Sequence, residues 1–360
     1  MTRQKIPTRA KRPIRDCWLA VNLSGLIPGM GQCYGKQWAK GLSIFTVFLG
    51  LTTHALWSLL AAEGDTARAF WLMGAAGLVY FLNVWDAFAT VGRPMYPLGN
   101  KRAGQDVWYG VFLSQILPGL GHLYLKQAIM GAVFLALGIV LAMAANQHPM
   151  LLPIACTIWS IASYHAYRTT PLNPGRNPSR SGQMLMVVVL GSLVLRLTIG
   201  CMPLWIDQAV MQCIVPSESM IPTLQVHDRI FVSRSSHYYP QAGDIVVFRA
   251  SPETIEILEA EPSTLFVKRI VGLPGQQISV HDGKVWVNKV PLEESYIHAS
   301  PRYRWGPELI PPNEYFVLGD NRNESADSHV WGFLPKEYII GKAYKIYWPS
   351  ERVRSLRATA

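Results

Sequence analysis

The stretch LFVKRIVGLPGQQISVHDGKVWVNKV, residues 265–290, sets the fold of the C-terminal half of the chain. Its three short runs of β-branched and aromatic residues are typical of strands. Asp282-Gly283 stands between the second and third runs, and this dipeptide favours the tight turn of a β-hairpin. Further runs of this kind, separated by Gly and Pro, occur at 229–234, 244–249, 315–318 and 340–348. We therefore expect a mainly antiparallel β domain over residues 207–350, followed by a short tail at 351–360.

The residues before this domain are much more apolar. The whole chain is 50% hydrophobic and 16% charged, which is too apolar for an ordinary soluble enzyme or a disordered protein. A helix needs about 20 apolar residues to cross a bilayer core. Five stretches reach or approach that length, at 42–62, 69–91, 130–147, 150–167 and 184–206. The sequence therefore predicts an α-helical membrane region of about five spans, the last of which anchors the β domain.

The charge distribution gives these spans a direction. The net charge of +10 would by itself suggest a nucleic-acid partner, but residues 1–206 hold 17 Lys and Arg against five Asp and Glu, whereas residues 207–360 hold 16 against 18. Lys and Arg in short loops are retained on the cytoplasmic side of a membrane. Because 15 of the 17 lie in residues 1–40, 92–129 and 168–183, we predict a cytoplasmic N-terminus and a β domain on the opposite side, with no nucleic-acid partner.

The membrane region repeats itself at an offset of 90 residues. The segment PGMGQCYGKQ at 28–37 matches PGLGHLYLKQ at 118–127, and the residues before each segment also match in register. We interpret residues 1–183 as a duplicated region with repeats at about 11–91 and 101–167. Transporters also contain repeats. Asp86, near the end of a helix, is the one charged residue in the four repeated spans, so the sequence favours an anchor or scaffold.

Two residues of the β domain are candidates for catalysis. Ser219 lies in VPSESMIPTL, residues 215–224, just after the last span. Such a serine is usually a turn or cap residue, and it needs a base, for which the sequence offers no His-Asp arrangement. A lysine serves as base when burial lowers its pKa. Strand alternation puts Lys268 on the same face as two apolar neighbours, although a solvated lysine on an edge strand is the alternative.

Four segments in this order resemble those of bacterial type I signal peptidases. They are PSESMIPTL at 216–224, GDIVVF at 243–248, KRIVGLPG at 268–275 and GDNRNESADS at 319–328. The resemblance covers about residues 205–349 and the preceding span, but not the duplicated region. It implies a mainly antiparallel β catalytic domain of the signal peptidase type.

The resemblance also implies a set of catalytic roles. Ser219 corresponds to the nucleophile, and Lys268 to the general base that takes its proton and returns it to the leaving amine. The hydroxyl of Ser217 and the backbone N–H of Ser219 correspond to an oxyanion hole. Ser325 corresponds to the hydroxyl that orients the lysine.

Other matching residues correspond to structural support. Arg269 and Asp320 match an ion pair beside the site, and Asp327 matches a further supporting carboxylate. His329 stands where the family commonly has an arginine partner for Asp327, and Asn323 and Glu324 replace the usual Asp-Asn pair. Because histidine titrates near neutrality, we expect the contact between Asp327 and His329 to be weaker and sensitive to pH.

The implied reaction is removal of N-terminal signal peptides from exported preproteins through an acyl-enzyme on Ser219. The family cuts after small residues, typically Ala-x-Ala. Val215, Pro216 and Val267 are candidates for lining the shallow pockets that such residues enter, although simple core packing explains them as well.

The resemblance implies surroundings and partners too. It places the chain in the bacterial cytoplasmic (inner) membrane as a multi-pass protein, with the catalytic domain on the periplasmic or extracellular side. Preproteins and the bilayer are the expected partners, and the basic faces of the repeat suggest docking to the translocation machinery or to anionic lipid.

No metal or cofactor is expected, since lysine acts as base and acid in turn. The five cysteines lack zinc-type spacing, and Cys201 and Cys213 are the pair placed for a disulfide.

Two other functions remain open. A membrane scaffold or partner-binding protein with an inactive peptidase domain would keep the fold, but the intact set of Ser219, Lys268 and Ser325 favours an enzyme. A self-cleaving repressor uses the same pair of catalytic groups, but the membrane spans and the segment 319–328 argue against it.

Overall fold

The structure is a computed structural model that describes residues 15–92, 105–170, 178–234 and 238–356. Most of the Lys and Arg predicted to be cytoplasmic lie outside the described residues, as do the last four residues of the predicted tail. The chain divides into two compact units. The first comprises residues up to 53 together with 72–202, and the second comprises 54–71 together with 203–360.

The N-terminal half is helical, as predicted. Its helices are α1 (Cys17–Leu26), α2 (Met30–Tyr34), α3 (Trp38–Leu60), α4 (Thr66–Val91), α5 (Val107–Ile116), α6 (Leu120–Tyr124), α7 (Ala128–Gln147), α8 (Leu152–Arg168) and α9 (Pro178–Ala209), with a 3₁₀ turn at Pro149–Leu151 before α8. Helices α1, α2 and α3 thus recur as α5, α6 and α7, each 90 residues further along the chain. Buried side chains of α1, α5, α8 and α9 form the core of the first unit.

The two repeats begin with the same local structure. Asp16 accepts hydrogen bonds from the N–H groups of residues 18 and 19 at the start of α1, and Asp106 does the same for residues 108 and 109 at the start of α5. A side-chain oxygen at this position satisfies N–H groups that have no partner within the helix. The hydroxyl of Tyr34 accepts from the backbone N–H of Asp16, and that of Tyr124 accepts from Asp106.

The break between the first two helices of each repeat requires glycine. Gly29 and Gly119 have φ of 90° and 96°, a left-handed conformation that residues with a Cβ rarely adopt. A Cβ on Gly29 would also lie 2.0 Å from the carbonyl oxygen of Gly41. The backbone of α3 therefore passes too close for any side chain at this position.

Four of the five predicted spans are helices long and apolar enough to cross a membrane, namely α3, α4, α7 and residues 181–208 of α9. The prediction at 150–167 differs. Helix α8 there has 17 residues, about 26 Å of helix, and it buries one face, which includes Ala155, Ser163 and Ala166. A helix with a small-residue face packs against its neighbours along its length, so hydropathy alone is a weaker guide to it.

The second unit contains two antiparallel sheets, which confirms the predicted fold class. The larger has the order β1-β2-β11-β3-β4-β9-β10, with β12 paired to β11, and the smaller has the order β7-β6-β5-β8. The strands are β1 (Val210–Ile214), β2 (Arg229–Ser233), β3 (Ile245–Arg249), β4 (Leu265–Gly272), β5 (Gln277–His281), β6 (Lys284–Val287), β7 (Val290–Pro291), β8 (Trp305–Leu309), β9 (Glu314–Leu318), β10 (Leu334–Pro335), β11 (Ile339–Trp348) and β12 (Arg354–Ser355). Two short helices, α10 (Pro252–Leu258) and α11 (Ser328–Trp331), complete the unit.

The predicted hairpin turn is present between β5 and β6. Asp282 and Gly283 have φ of 53° and 73°, and two positive values at the central residues match the twist of the flanking strands.

Strand β4 lies in the interior of the larger sheet and is covered on both faces. Phe266 and Ile270 pack into one apolar cluster, whereas Val267 packs against another. Lys268 lies opposite Val246 of β3, a member of the first cluster. The lysine therefore occupies an apolar face of a central strand, as alternation predicted, rather than an edge.

Candidate active site

The fold brings Ser219 and Lys268 into direct contact. Ser219 lies in the turns that follow β1, and Lys268 lies in the middle of β4. The ammonium Nζ of Lys268 is 2.7 Å from the hydroxyl Oγ of Ser219. The two residues are 9% and 4% exposed. A nucleophile and a base within hydrogen-bond reach, in a site nearly closed to water, are the minimum for covalent catalysis.

Burial changes the titration of the lysine. Loss of hydration lowers the pKa of Lys268 to about 8, and the carboxylates of Asp327 and Asp320 partly oppose this shift. At pH 7 a group with a pKa of about 8 is neutral in roughly one molecule in ten, whereas an ordinary lysine is almost entirely charged. A usable fraction of Lys268 can therefore accept the hydroxyl proton.

Ser217 lies at the open side of this pair. Its Oγ is 3.3 Å from the Oγ of Ser219, and its side chain is exposed. A hydroxyl at that position can donate to charge that develops beside the nucleophile.

Ser325 is close to the pair, but it makes no hydrogen bond to the lysine. Its Oγ is buried and has no hydrogen-bond partner among the described residues. A Cβ on Gly319 would lie 2.2 Å from this Oγ and 2.4 Å from the carbonyl oxygen of Ser219. The hydroxyl of Ser325 is thus packed against the backbone of Gly319, close to Ser219. A buried hydroxyl without a hydrogen-bond partner is unfavourable for stability.

Arg269 and Asp320 form the predicted ion pair. The two carboxylate oxygens of Asp320 accept from Nε and Nη2 of Arg269 at 2.8 and 2.7 Å, and both side chains are buried. Arg269 also donates to the carbonyl of Gly243, and its guanidinium lies 3.9 Å from the ring centroid of Tyr296. Thr223 donates to Asp320. This network joins the serine segment, β4 and the 319–328 loop.

Asp327 supports the same loop. Its Oδ2 accepts from the N–H of Gly319 at 2.8 Å, and its Oδ1 lies 2.7 Å from Nδ1 of His329. The ring of His329 stacks on Tyr303 with centroids 3.9 Å apart. His329 is therefore in contact with Asp327, and the lower strength expected of this contact stays a prediction.

Several supporting residues had no assigned role at the sequence level. The N–H of Asn321 donates to the carbonyl of Ser219 at 3.1 Å, and the buried Arg322 pairs with Glu294 and donates to the carbonyl of Gly319. Asn321 and Arg322 lie inside the segment 319–328, so their position in the sequence indicated that they are near the site. Glu294 lies in a stretch with no motif, and nothing in the sequence indicated its role.

The pocket candidates have different surroundings. Val215 is buried and Val267 is half-buried in one apolar cluster, whereas Pro216 is exposed. Within the described ranges, no group of three or more His, Cys, Asp or Glu could hold a metal ion. All five cysteines are free thiols, including Cys201 and Cys213.

Comparison with known proteins places the chain in a family. Residues 187–348 match the family described as signal peptidase, peptidase S26. Signal peptidase I of Leptolyngbya laminosa is 46% identical over 144 residues, which are 39% of this chain and 70% of that protein. The chain belongs to this family.

Other family members are similar over the same share of the chain. Probable signal peptidase I-2 of Synechocystis sp. is 46% identical over 142 residues, 39% of this chain and 63% of that protein. Thylakoidal processing peptidase 1, chloroplastic, of Arabidopsis thaliana is 42% identical over 143 residues, 39% of this chain and 42% of that protein. Membership of this family makes the chain a hydrolase of the serine peptidase class. The match to the family begins inside α9, so it excludes both repeats.

Proposed function

We propose that this protein is a membrane-embedded signal peptidase that removes N-terminal signal peptides from exported preproteins after small residues. The observation that carries the proposal is the 2.7 Å contact between Nζ of the buried Lys268 and Oγ of Ser219. The names of relatives such as signal peptidase I of Leptolyngbya laminosa support the substrate class.

The proposed chemistry proceeds through an acyl-enzyme. Neutral Lys268 accepts the hydroxyl proton as Oγ of Ser219 attacks the scissile carbonyl carbon. Ser217 and the N–H of Ser219 donate to the resulting oxyanion. When the C–N bond breaks, protonated Lys268 gives its proton to the leaving amine. A water molecule then attacks the ester with Lys268 again as base, which releases the signal peptide and restores the serine.

Supporting roles follow from the contacts around this pair. Arg269, Asp320 and Asp327 hold the 319–328 loop. We assign Ser325 to orienting Lys268, a contact that forms when substrate moves the Ser325 hydroxyl away from the backbone of Gly319. We assign Val215, Pro216 and Val267 to the substrate pockets, where a shallow apolar wall admits alanine and excludes larger side chains.

We further propose that the β domain lies on the non-cytoplasmic side of the membrane. Two observations support this. Carbonyls at the C-terminal end of α3, next to the turn that follows it, accept hydrogen bonds from Lys345 and Tyr344 of β11, so that turn and the β domain share a side. The basic segments favour a cytoplasmic N-terminus, which puts that turn outside. Helix α8 must then cross the membrane despite its 17 residues.

Substitution of the pair tests the proposal. We expect Ser219→Ala and Lys268→Met to abolish cleavage of a preprotein by the full chain in liposomes. We expect Lys284→Met, which alters an exposed lysine of β6, to cleave as the wild type does. Mass spectrometry of the products shows where the chain is cut. Cleavage by either variant of the pair would overturn the assignment, and no cleavage by the wild type would favour an inactive scaffold.

A further inference from the structure

The turn between the two helices of the first hairpin is attached to the β domain. We call residues 58–66 the hairpin tip. Lys345 of β11 is fully buried, with 0% exposure, and its Nζ donates to the carbonyl oxygens of Ser58 at 3.0 Å and Leu59 at 2.9 Å. The catalytic chemistry makes no use of this lysine, so its burial needs another explanation.

The bonding partners of Lys345 are groups that a helix leaves unsatisfied. The last four carbonyls of a helix have no partner within it, and α3 ends at Leu60. Lys345 donates to two of these carbonyls, and the hydroxyl of Tyr344 donates to a third, that of Leu60, at 3.1 Å. A cation at a helix C-terminus is favoured by the helix dipole. The charge of the buried lysine is thus matched by the end of α3.

Strand β11 is irregular where it contacts the hairpin tip. Consecutive side chains of a strand point to opposite faces, yet Tyr344 and Lys345 both reach the hairpin tip. The register between β11 and β2 shifts between Ala343 and Lys345. Such a bulge re-aims a side chain, and here it gives one short segment two donors toward the same helix end.

The hairpin tip has a defined shape of its own. The hydroxyl of Ser58 donates to the carbonyl of Asp65 and accepts from its N–H, and a Cβ on Gly64 would lie 2.1 Å from the carbonyl oxygen of Ser58. Thr66, the first residue of α4, donates from its hydroxyl to the carbonyl of Tyr347 at 3.0 Å. Both helices of the hairpin therefore bond to β11.

The described residues of the second repeat lack this structure. Its corresponding turn, residues 146–150, is exposed at every position, and its sequence NQHPM shares nothing with the first tip. The two copies thus keep the same helix starts and differ at the tip, which is where the first copy meets the β domain.

We propose that the hairpin tip is a second membrane attachment of the β domain, that Lys345 is the positioning residue that holds it, and that this attachment promotes cleavage of substrates inserted in the membrane. The proposal rests on the proposed function for its substrate. Helix α9 attaches the domain covalently at one point, from which a domain can pivot. A second attachment restricts that motion and raises the effective concentration of the site at a bond held near the bilayer.

Amide hydrogen exchange of the full chain in liposomes tests the attachment without reference to activity. We expect Lys345→Met to accelerate exchange in residues 58–66 by about tenfold or more, because the segment opens locally. Thr66→Val, which removes one hydrogen bond at the same contact, should accelerate it less. The control Lys284→Met should leave it unchanged. Unaltered exchange in Lys345→Met would overturn the proposal.

Cleavage of two substrates tests the role. For a preprotein whose signal sequence is inserted in the liposome, we expect Lys345→Met to lower kcat/KM about tenfold. For a short soluble peptide with the same cleavage site, kcat/KM should stay within about twofold of the wild type, since a free peptide does not need the domain held in place. Equal losses for both substrates, or no loss for the preprotein, would contradict the role. Failure of the wild type on both substrates would instead contradict the proposed function, and the exchange measurement would still decide the attachment.

Discussion

The ammonium group of Lys268 loses its hydration in the interior of the β domain, and this lowers its pKa to about 8. Its neutral form is the one that accepts a proton from Ser219. The charged form is favoured below the pKa, so the fraction of active enzyme increases as the pH rises.

The first prediction at the residue scale concerns this titration. We expect kcat/KM for a peptide substrate to increase with pH and level off above about 8. The profile of the full chain in detergent checks it, with a substrate that has no titratable side chain. The carboxylates of Asp327 and Asp320 partly oppose the lowering of the pKa of Lys268. Asp327→Asn removes one of these charges, so it should move the midpoint of the profile to lower pH. A flat profile over about two pH units around the midpoint would contradict a lysine base.

The second prediction concerns His329. Its ring lies 2.7 Å from the Asp327 carboxylate, and that carboxylate also accepts from the N–H of Gly319 beside the site. We expect His329→Ala to lower kcat/KM for a peptide substrate, because it removes a partner of the carboxylate that binds the backbone of Gly319. Kinetics of the full chain in detergent check this. A kcat/KM of His329→Ala equal to that of the wild type would contradict the supporting role.

Among the elements, the break between α1 and α2 is the most constrained by backbone geometry. We expect Gly29→Ala to lower the thermal midpoint of the full chain in detergent, since its φ of 90° costs about 1–3 kcal/mol for a residue with a Cβ and the backbone of Gly41 leaves no room. Gly50→Ala in α3 is the matched control, because a Cβ there has no atom within 4 Å. Equal midpoints for the two variants would show that the break relaxes without cost.

At the element scale, strands and helices differ in how well the sequence predicted them. Asp282-Gly283 fixed a turn that the structure confirms, because its backbone preference acts over a few residues. Helix α8 was less clear, since its length of 17 residues lies at the lower limit for a span and its small residues face other helices.

The topology of the whole molecule yields the last prediction. If α8 crosses the membrane, its two ends lie on opposite sides. In a background without the five native cysteines, we expect Met150→Cys to react with an impermeant thiol reagent from outside the cell. Arg168→Cys should react only after the membrane is permeabilised. Reaction of Arg168→Cys in intact cells would place both ends outside and would contradict the five-span topology.

The sequence by itself determined the antiparallel domain, the repeat, the apolar helices and the segments that contain Ser219 and Lys268. Hydropathy, turn preference and motif spacing are properties of short segments, so they are visible without a fold. Only the tertiary structure decided that Nζ of Lys268 meets Oγ of Ser219, that Arg322 pairs with Glu294, and that Lys345 binds the end of α3. These contacts join residues 49, 28 and 287 positions apart. Their partners, and therefore the burial and charge that each group experiences, exist only once distant segments pack together.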